Sequence, residues 1–277
     1  MAHVRLRCRS IVATLGCFGL FSNSATAQVD TSFVHHSVFT WQDAVLAGGF
    51  VVGTIAIRPL DKSAAKSLQR PTAQQNRLLK GAATTLRTIA VPGAVIIGTG
   101  MYAAGRLSKN DRLAELGLYG TEALFVGEGI GSVLKITFGR ARPFVDSTPN
   151  PDNWQLFRGF KGTSKYQSFP SGHTVAAFAA AAAVTSEMSR WYPQSIWAVA
   201  PAMYGGATFV GLARMYDNRH WASDVIMGAA IGTFAGTKVV RYHRTHPNNP
   251  LDRWLLNASI NPQSPSHVAF SIMPLFH

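Results

Sequence analysis

Residues 168–185 read SFPSGHTVAAFAAAAAVT, a Pro/Ser/Gly segment that runs directly into a stretch of alanine and other apolar residues. Serine and glycine are favoured at the start of a helix, and alanine has the highest helix propensity. We therefore predict a helix that begins near Gly172. Its first backbone N–H groups and the Ser171 hydroxyl would suit an anion, because a helix N-terminus carries partial positive charge. His173 would face that anion from the first turn, although an ordinary helix cap with an incidental histidine fits this segment equally well.

Similar apolar segments, punctuated by glycine and basic residues, recur along the chain. They cover residues 44–57, 88–105, 113–138, 174–185, 196–213 and 225–240. No alternation of apolar and polar residues interrupts them, so we predict an all-α fold, a bundle of about six helices that is compatible with membrane insertion. Only the end of the chain differs. Residues 255–259 and 268–272 alternate on either side of the turn-forming residues 261–265, which predicts a short C-terminal strand pair.

The composition excludes a disordered chain, a collagen and a coiled coil. Of the 277 residues, 47% are hydrophobic and 14% are charged, whereas soluble domains have about 25% charged residues. Membrane crossing stays open, because a span needs about 20 apolar residues, and among the six apolar segments only 88–105 and 196–213 run 18 positions without a charge. The segment 113–138 carries three carboxylates, which would be either functional groups inside a membrane or ordinary partners of Arg and Lys in a bundle. They are Glu115, Glu122 and Glu128.

The N-terminus has the pattern of a secretory signal. Residues 1–27 contain three arginines, an apolar stretch over 11–21 and small residues at 25–27 before a cleavage point. Cys8 and Cys17, the two cysteines of the chain, both fall inside it. The mature chain would therefore have no disulfide, no thiolate catalysis and no Cys-ligated metal.

We divide the chain into the signal peptide 1–27, a helical domain 28–245 and a tail 246–277. Removing the three signal arginines lowers the net charge from +13 to +10, and the excess suggests an anionic partner such as membrane lipid, nucleic acid or a phosphorylated substrate. Residues 58–87 hold seven Lys/Arg and one acid, Asp61. As a loop between spans, this segment would be cytoplasmic, and as a helix it would be a solvated face or would lie on anionic lipid.

Two further clusters carry chemistry. In the first, Lys135 and Arg142 are seven residues apart, so both would lie on one face of a helix and emerge together at its end, where Pro143 disfavours helix in the residue before it. Basic residues that flank an apolar helix are also commonplace anchors.

The other cluster is RMYDNRHWASD, residues 214–224. His220 and Asp224 are at positions i and i+4, so on a helix the carboxylate would accept the imidazole N–H and leave the other ring nitrogen free to attack. Arg214 has the fork of donors that suits a phosphate. Taken alone, a surface His–Asp pair is the simpler interpretation.

Together, the clusters read Lys-x6-Arg-Pro, Pro-Ser-Gly-His and Arg-x5-His-x3-Asp in this order. This three-part pattern resembles the type-2 phosphatidic acid phosphatase and vanadium haloperoxidase superfamily, over about residues 113–240. One position departs from the pattern, since Ala213 stands where the family usually has a serine.

The resemblance implies a set of roles that agrees with the residue chemistry. His220 would attack phosphorus to give a phosphohistidine, Asp224 would orient it, and His173 would protonate the leaving oxygen and then activate water. The phosphoryl oxygens would be held by Lys135, Arg142, Ser171, Gly172 and Arg214. No metal and no cofactor are expected, except vanadate if the site is that of a haloperoxidase.

The sequence therefore predicts a metal-independent phosphatase of the cell envelope that hydrolyses a phosphomonoester or pyrophosphate, with a lipid phosphate favoured as the substrate and nucleic acid not expected as a partner. The alternatives are a soluble periplasmic acid phosphatase, a vanadium haloperoxidase and a non-catalytic protein that binds phosphorylated lipids. We expect membrane association with a site that faces the periplasm. A cleaved signal followed by six spans would place the site in the cytoplasm. A site outside requires one fewer crossing before the first cluster, an uncleaved signal that acts as a span, or a body that does not cross the membrane.

Overall fold

The computed structural model describes residues 37–161 and 163–256. The predicted signal and most of the predicted strand pair lie outside these residues. Within them the chain forms ten α-helices, joined by short 3₁₀ and π-helical turns. They are α1 (Trp41–Ile57), α2 (Asp61–Leu68), α3 (Pro71–Gln74), α4 (Arg77–Thr88), α5 (Ala94–Ser108), α6 (Asp111–Phe138), α7 (Gly172–Trp191), α8 (Ile196–Tyr216), α9 (Ala222–Thr245) and α10 (Pro250–Leu255).

The all-α prediction is confirmed, and the six longest helices of the described chain correspond to the six apolar segments. One local prediction is wrong. Leu255, placed in a strand by its alternation with Asn257, is the last residue of α10, because Pro250 and the Asn249 side chain, which accepts the Asp252 N–H, begin a helix there. Of the two alternatives for the basic segment 58–87, the helical one is found, because the segment forms a series of short helices.

Helix α7 is the centre of the bundle and packs against α6, α8 and α9. Its alanines Ala176, Ala179 and Ala182 are fully buried. Gly232 of α9 lies so close that a Cβ there would stand 2.3 Å from the Val175 carbonyl oxygen of α7. Small residues on both helices thus let the two backbones approach closely, as is common in tightly packed helix pairs.

Helix α1 runs antiparallel to α9. Asp43 at the start of α1 pairs with Lys238 near the end of α9 at 2.5 Å, whereas Asp61, just after α1, accepts hydrogen bonds from Ser223 at the start of α9. The ends of α1, α6 and α8 and the starts of α7 and α9 therefore meet. We call this place the site end of the bundle.

Three stretches of the described chain are long and apolar enough to cross a membrane. They are Trp41–Leu68, Arg77–Ser108 and Pro193–Tyr216. Large apolar side chains on them face outward: Val52 is 65% exposed, Ile96 70% and Trp197 79%. Such a surface is unusual for a soluble monomer and fits association with a membrane.

Candidate active site

A cavity of about 230 Å³ opens at the site end. Six of the eight predicted site residues line it, together with Val91 and Glu128. The six are Lys135, Arg142, Gly172, His173, Arg214 and His220. Ser171 and Asp224 lie behind this lining, and both are fully buried. Three separate clusters of sequence are thus brought to one cavity.

Lys135 and Arg142 reach the cavity by different routes. Lys135 lies in the last turn of α6, which ends at Phe138. Gly139 then turns the chain with a φ of 51°, where a Cβ would stand 2.3 Å from the Gln155 carbonyl oxygen. Arg142 therefore lies in the following loop, and the prediction that both cations share one helix face is wrong. Burial, together with nearby Arg214, lowers the pKa of Arg142 to about 10, so it stays a cation at neutral pH.

Helix α7 begins where the sequence predicted, with Gly172 as its first residue and Ser171 as its N-cap. The Ser171 hydroxyl accepts a hydrogen bond from the Thr174 hydroxyl at 2.8 Å. The Ser171 backbone N–H donates to the backbone carbonyl oxygen of Asp224 at 3.0 Å. His173 lines the cavity from the first turn. Burial and the positive charge of Arg214, with smaller effects of His220, Lys135 and Arg142, lower the pKa of His173 to about 3.

His220 is held by a backbone carbonyl. Its Nδ1 lies 2.7 Å from the Ser168 carbonyl oxygen and 3.8 Å from the nearer Asp224 oxygen. A neutral imidazole beside a carbonyl acceptor carries its proton on Nδ1, which leaves the lone pair on Nε2. The predicted direct His–Asp hydrogen bond is therefore replaced by one to Ser168, because His220 lies in the turn before α9 rather than on a helix with Asp224. Burial lowers the pKa of His220 to about 4, so the ring is neutral at pH 7.

Asp224 supports this arrangement from behind. One oxygen accepts hydrogen bonds from the Ser168 hydroxyl at 2.5 Å and from the Trp221 N–H at 2.9 Å. The other accepts from Arg140 Nη1 at 2.5 Å. Burial alone would raise the pKa of this carboxyl, but the Arg140 charge, together with His220 and the Ser168 hydrogen bond, outweighs burial and holds the pKa below its ordinary value. Asp224 thus acts on His220 through Ser168, the residue that it and the imidazole share.

Arg140 and Asp61 are functional residues that the sequence reasoning missed. Both side chains are fully buried. Arg140 Nη2 donates to Asp61 at 2.7 Å, Nη1 donates to the Ser223 hydroxyl at 2.7 Å, and two donors reach the Pro151 carbonyl oxygen. The sequence does contain one indication of this pair. Asp61 is the one acid in the basic segment 58–87, and an isolated acid among cations is a candidate for a specific ion pair.

Arg214, near the end of α8, keeps a donor free for a ligand. Its Nη1 donates to Asp217 at 2.9 Å, and Asp217 also lies 3.6 Å from Arg87. The Arg214 Nε is buried and has no hydrogen-bond partner among the residues that the structure describes. An unsatisfied buried donor of this kind is costly unless something binds to it. Ala213, at the position of the expected serine, packs in an apolar cluster with Ala83 and neighbouring side chains.

The three carboxylates of α6 have separate surroundings. Glu128 lines the cavity and lies 3.4 Å from Lys135 Nζ. Glu122 lies 2.7 Å from His243 Nε2 on α9, and Glu115 lines a polar pocket at the far end of the bundle. Over residues 37–161 and 163–256, no group of three or more His, Cys, Asp or Glu residues is placed to hold a metal ion.

Comparison with known proteins gives relatives that match over about two fifths of this chain. The lipid A 1-phosphatase of Porphyromonas gingivalis is 38% identical over 111 residues, which is 39% of this chain and 19% of the relative. The lipid A 1-phosphatase of Rhizobium johnstonii is 36% identical over 109 residues, 38% of each chain. This chain therefore spans about a fifth to two fifths of the length of these relatives.

A crystal structure of a transmembrane PAP2-type phosphatidylglycerolphosphate phosphatase from Bacillus subtilis is similar with a TM-score of 0.49 and 20% identity, over 74% of this chain and 97% of that one. The model of the PAP2 superfamily matches residues 117–247. This range includes every lining residue of the cavity except Val91. Residues 117–247 are thus similar to the PAP2 superfamily.

Proposed function

We propose that this protein is a phosphatase that hydrolyses a phosphomonoester or pyrophosphate of a lipid through a phosphohistidine intermediate. The observation that carries the proposal is the cavity itself. It combines three cations, Lys135, Arg142 and Arg214, with a neutral His220 whose Nδ1 proton is fixed by a carbonyl. Cations around a transferring phosphoryl group stabilise the charge on its equatorial oxygens.

The first step is an attack by the lone pair of His220 Nε2 on phosphorus. As the P–N bond forms, the bond from phosphorus to the leaving oxygen breaks, and His173 donates its proton to that oxygen. In the second step, His173 removes a proton from water, the water oxygen attacks phosphorus, and the P–N bond breaks. Inorganic phosphate is released, His220 returns to its neutral form, and His173 carries its proton again.

The proton on His173 depends on the substrate. Burial and the surrounding cations lower the pKa of His173 to about 3. A phosphate dianion offsets the cations and favours the charged imidazole, so substrate binding raises this pKa. His173 therefore takes up its proton together with the substrate, at the moment when a general acid is needed.

An apolar cavity supports a lipid as the substrate. It has a volume of about 310 Å³ and is lined by α5, α6, α7 and α8. The π-helical turn Ile89–Gly93 contributes Ala90 to this cavity and Val91 to the polar one. An apolar space beside a phosphate site suits an acyl or prenyl chain, and the relatives named as lipid A 1-phosphatases act on a phosphorylated lipid.

The proposal is tested by measuring phosphate release by the full chain in detergent micelles. The substrates are lipid A, phosphatidate, phosphatidylglycerol phosphate and a polyprenyl pyrophosphate, with p-nitrophenyl phosphate as a small soluble ester. His220→Ala should lower turnover by roughly 10³-fold or more. His246→Ala, a histidine near the far end of α9, is the matched control and should stay near wild type. Substantial turnover by His220→Ala would refute the phosphohistidine route. Turnover of the small ester alone would favour the soluble acid phosphatase, and bromide oxidation with added vanadate would favour the haloperoxidase.

Orientation in the membrane is testable with cysteines. Because α1 runs toward the site end, a crossing by Trp41–Leu68 places the site on the side opposite to residue 40. A periplasm-facing site, which stays a prediction, therefore requires residue 40 to be cytoplasmic, whereas an exported N-terminus places the site in the cytoplasm. With Cys8 and Cys17 replaced, a membrane-impermeant maleimide applied to intact cells should label Asn150→Cys at the site end and not Lys109→Cys. The reverse pattern would place the site inside.

A further inference from the structure

Glu128 is an acid in a cavity built for an anion. It lies two helical turns before Lys135 on α6, so both side chains share one face of the helix. Its Oε2 is 3.4 Å from the Lys135 ammonium, which donates a hydrogen bond to it. The two side chains are only 25% and 16% exposed. A phosphate in this cavity would therefore meet a negative charge next to Lys135, one of the cations that would bind it.

The Glu128 carboxylate also lies against the first residue of α7. A Cβ added to Gly172 would stand 2.9 Å from each Glu128 oxygen and 2.6 Å from Lys135 Nζ. The carboxylate is thus within contact distance of the positive end of a helix, where an anion is stabilised. Its Oε1 is buried and has no hydrogen-bond partner in the described part of the chain, so this oxygen is not held by a structural network.

We propose that Glu128 occupies part of the phosphate position in the empty site and competes with phosphate for Lys135 and for the start of α7. This inference rests on the proposed function, which it extends to the control of affinity. Glu128 is a positioning residue: it keeps Lys135 directed at the cavity without substrate, and it limits how tightly phosphate is bound.

The competition has a functional consequence. Inorganic phosphate is the product, and a cavity with three cations and no counter-charge would retain it. Binding that is equally strong for substrate and product does not raise turnover. The Glu128 charge weakens both, so it favours release of the product.

The experiment measures the affinity of the full chain, in detergent micelles, for inorganic phosphate by isothermal titration, and the inhibition constant of phosphate during hydrolysis. Glu128→Gln should bind phosphate at least about tenfold more tightly, since a unit charge within about 5 Å of a dianion repels it by more than that factor at an effective dielectric constant of about 20. KM should fall and kcat should fall with it as product release slows. Glu128→Asp should restore the wild-type values.

Glu115→Gln is the matched control, because it removes the same charge from the same helix at the far end of the bundle. Its phosphate affinity should stay within about twofold of wild type, since charges separated by more than the Debye length, about 8 Å at physiological salt, are largely screened. Unchanged or weaker phosphate binding by a folded Glu128→Gln, or an equal gain in Glu115→Gln, would overturn the inference. The titration needs no turnover, so it tests the role of Glu128 even if the wild-type chain hydrolyses none of the esters. Such a lack of hydrolysis would overturn the proposed function instead.

Discussion

Replacing Asp61 by asparagine removes one negative charge from a fully buried network and keeps the shape of the side chain. Asp61 Oδ1 accepts the Ser223 N–H at 2.9 Å. Its Oδ2 accepts Arg140 Nη2 at 2.7 Å and the Ser223 hydroxyl at 2.6 Å. Both oxygens of Asp61 therefore face donors. An asparagine has one oxygen and one NH₂ group, so one of these two sets of donors would meet another donor.

The magnitude follows from the burial. Arg140 and Asp61 are both 0% exposed, and removing one partner of a buried ion pair costs about 3–5 kcal/mol. For a chain of this size, 1 kcal/mol lowers the melting temperature by roughly 2–4 °C. Asp61→Asn should therefore lower Tm by roughly 6–20 °C. Since Asp224 and its hydrogen bond to Ser168 remain, the variant should still turn over substrate well below its Tm.

The assay is thermal unfolding of the full chain in detergent micelles, followed by circular dichroism of the helices. Arg58→Gln is the control, because it breaks the ion pair with Asp152, whose side chains are 48% and 66% exposed. An exposed pair contributes less than about 1 kcal/mol. If the Tm of Asp61→Asn falls no further than the Tm of Arg58→Gln, the buried network does not stabilise the site end.

Three further outcomes are expected. Burial lowers the pKa of His173 to about 3 and that of His220 to about 4, so the unfolded chain binds more protons than the folded one between these values and about pH 6.5. The ligand-free protein should lose stability as the pH falls through this window, a loss that His173→Gln should reduce; a Tm independent of pH would contradict it. Gly172→Ala should fold, because the groups nearest its methyl are ends of flexible side chains, but it should weaken phosphate inhibition by displacing Lys135 Nζ, 2.6 Å away; unchanged inhibition would count against the Lys135 role. Ser168→Ala should lower kcat about tenfold, far less than His220→Ala, since its carbonyl still holds the imidazole; a loss as large as that of His220→Ala would mean that the hydroxyl matters more than the carbonyl.

The helices could be predicted from the sequence because long apolar segments without a strand-like alternation bury their surface most readily as a helical bundle. Six of the eight predicted site residues line one cavity, since the three clusters each lie at a helix end. Prediction from the sequence failed where a contact depends on tertiary placement. The pairing of Asp61 with Arg140 links residues 79 positions apart, and the Ser168 carbonyl that holds His220 is a backbone atom, for which the side-chain pattern gives no signal.

The buried network also bears on which part of the chain is needed for activity. The PAP2 superfamily model matches residues 117–247, and Asp61 lies well before this range. Within the range, Arg140 has one buried carboxylate partner, Asp224, which must also hold Ser168. Asp61 supplies the second carboxylate, so the segment that follows α1 fixes the guanidinium from the other side and stabilises the network behind the cavity. Helix α1 is therefore part of the site in energetic terms although none of its residues lines the cavity, and its antiparallel packing on α9 is what delivers Asp61 to that place.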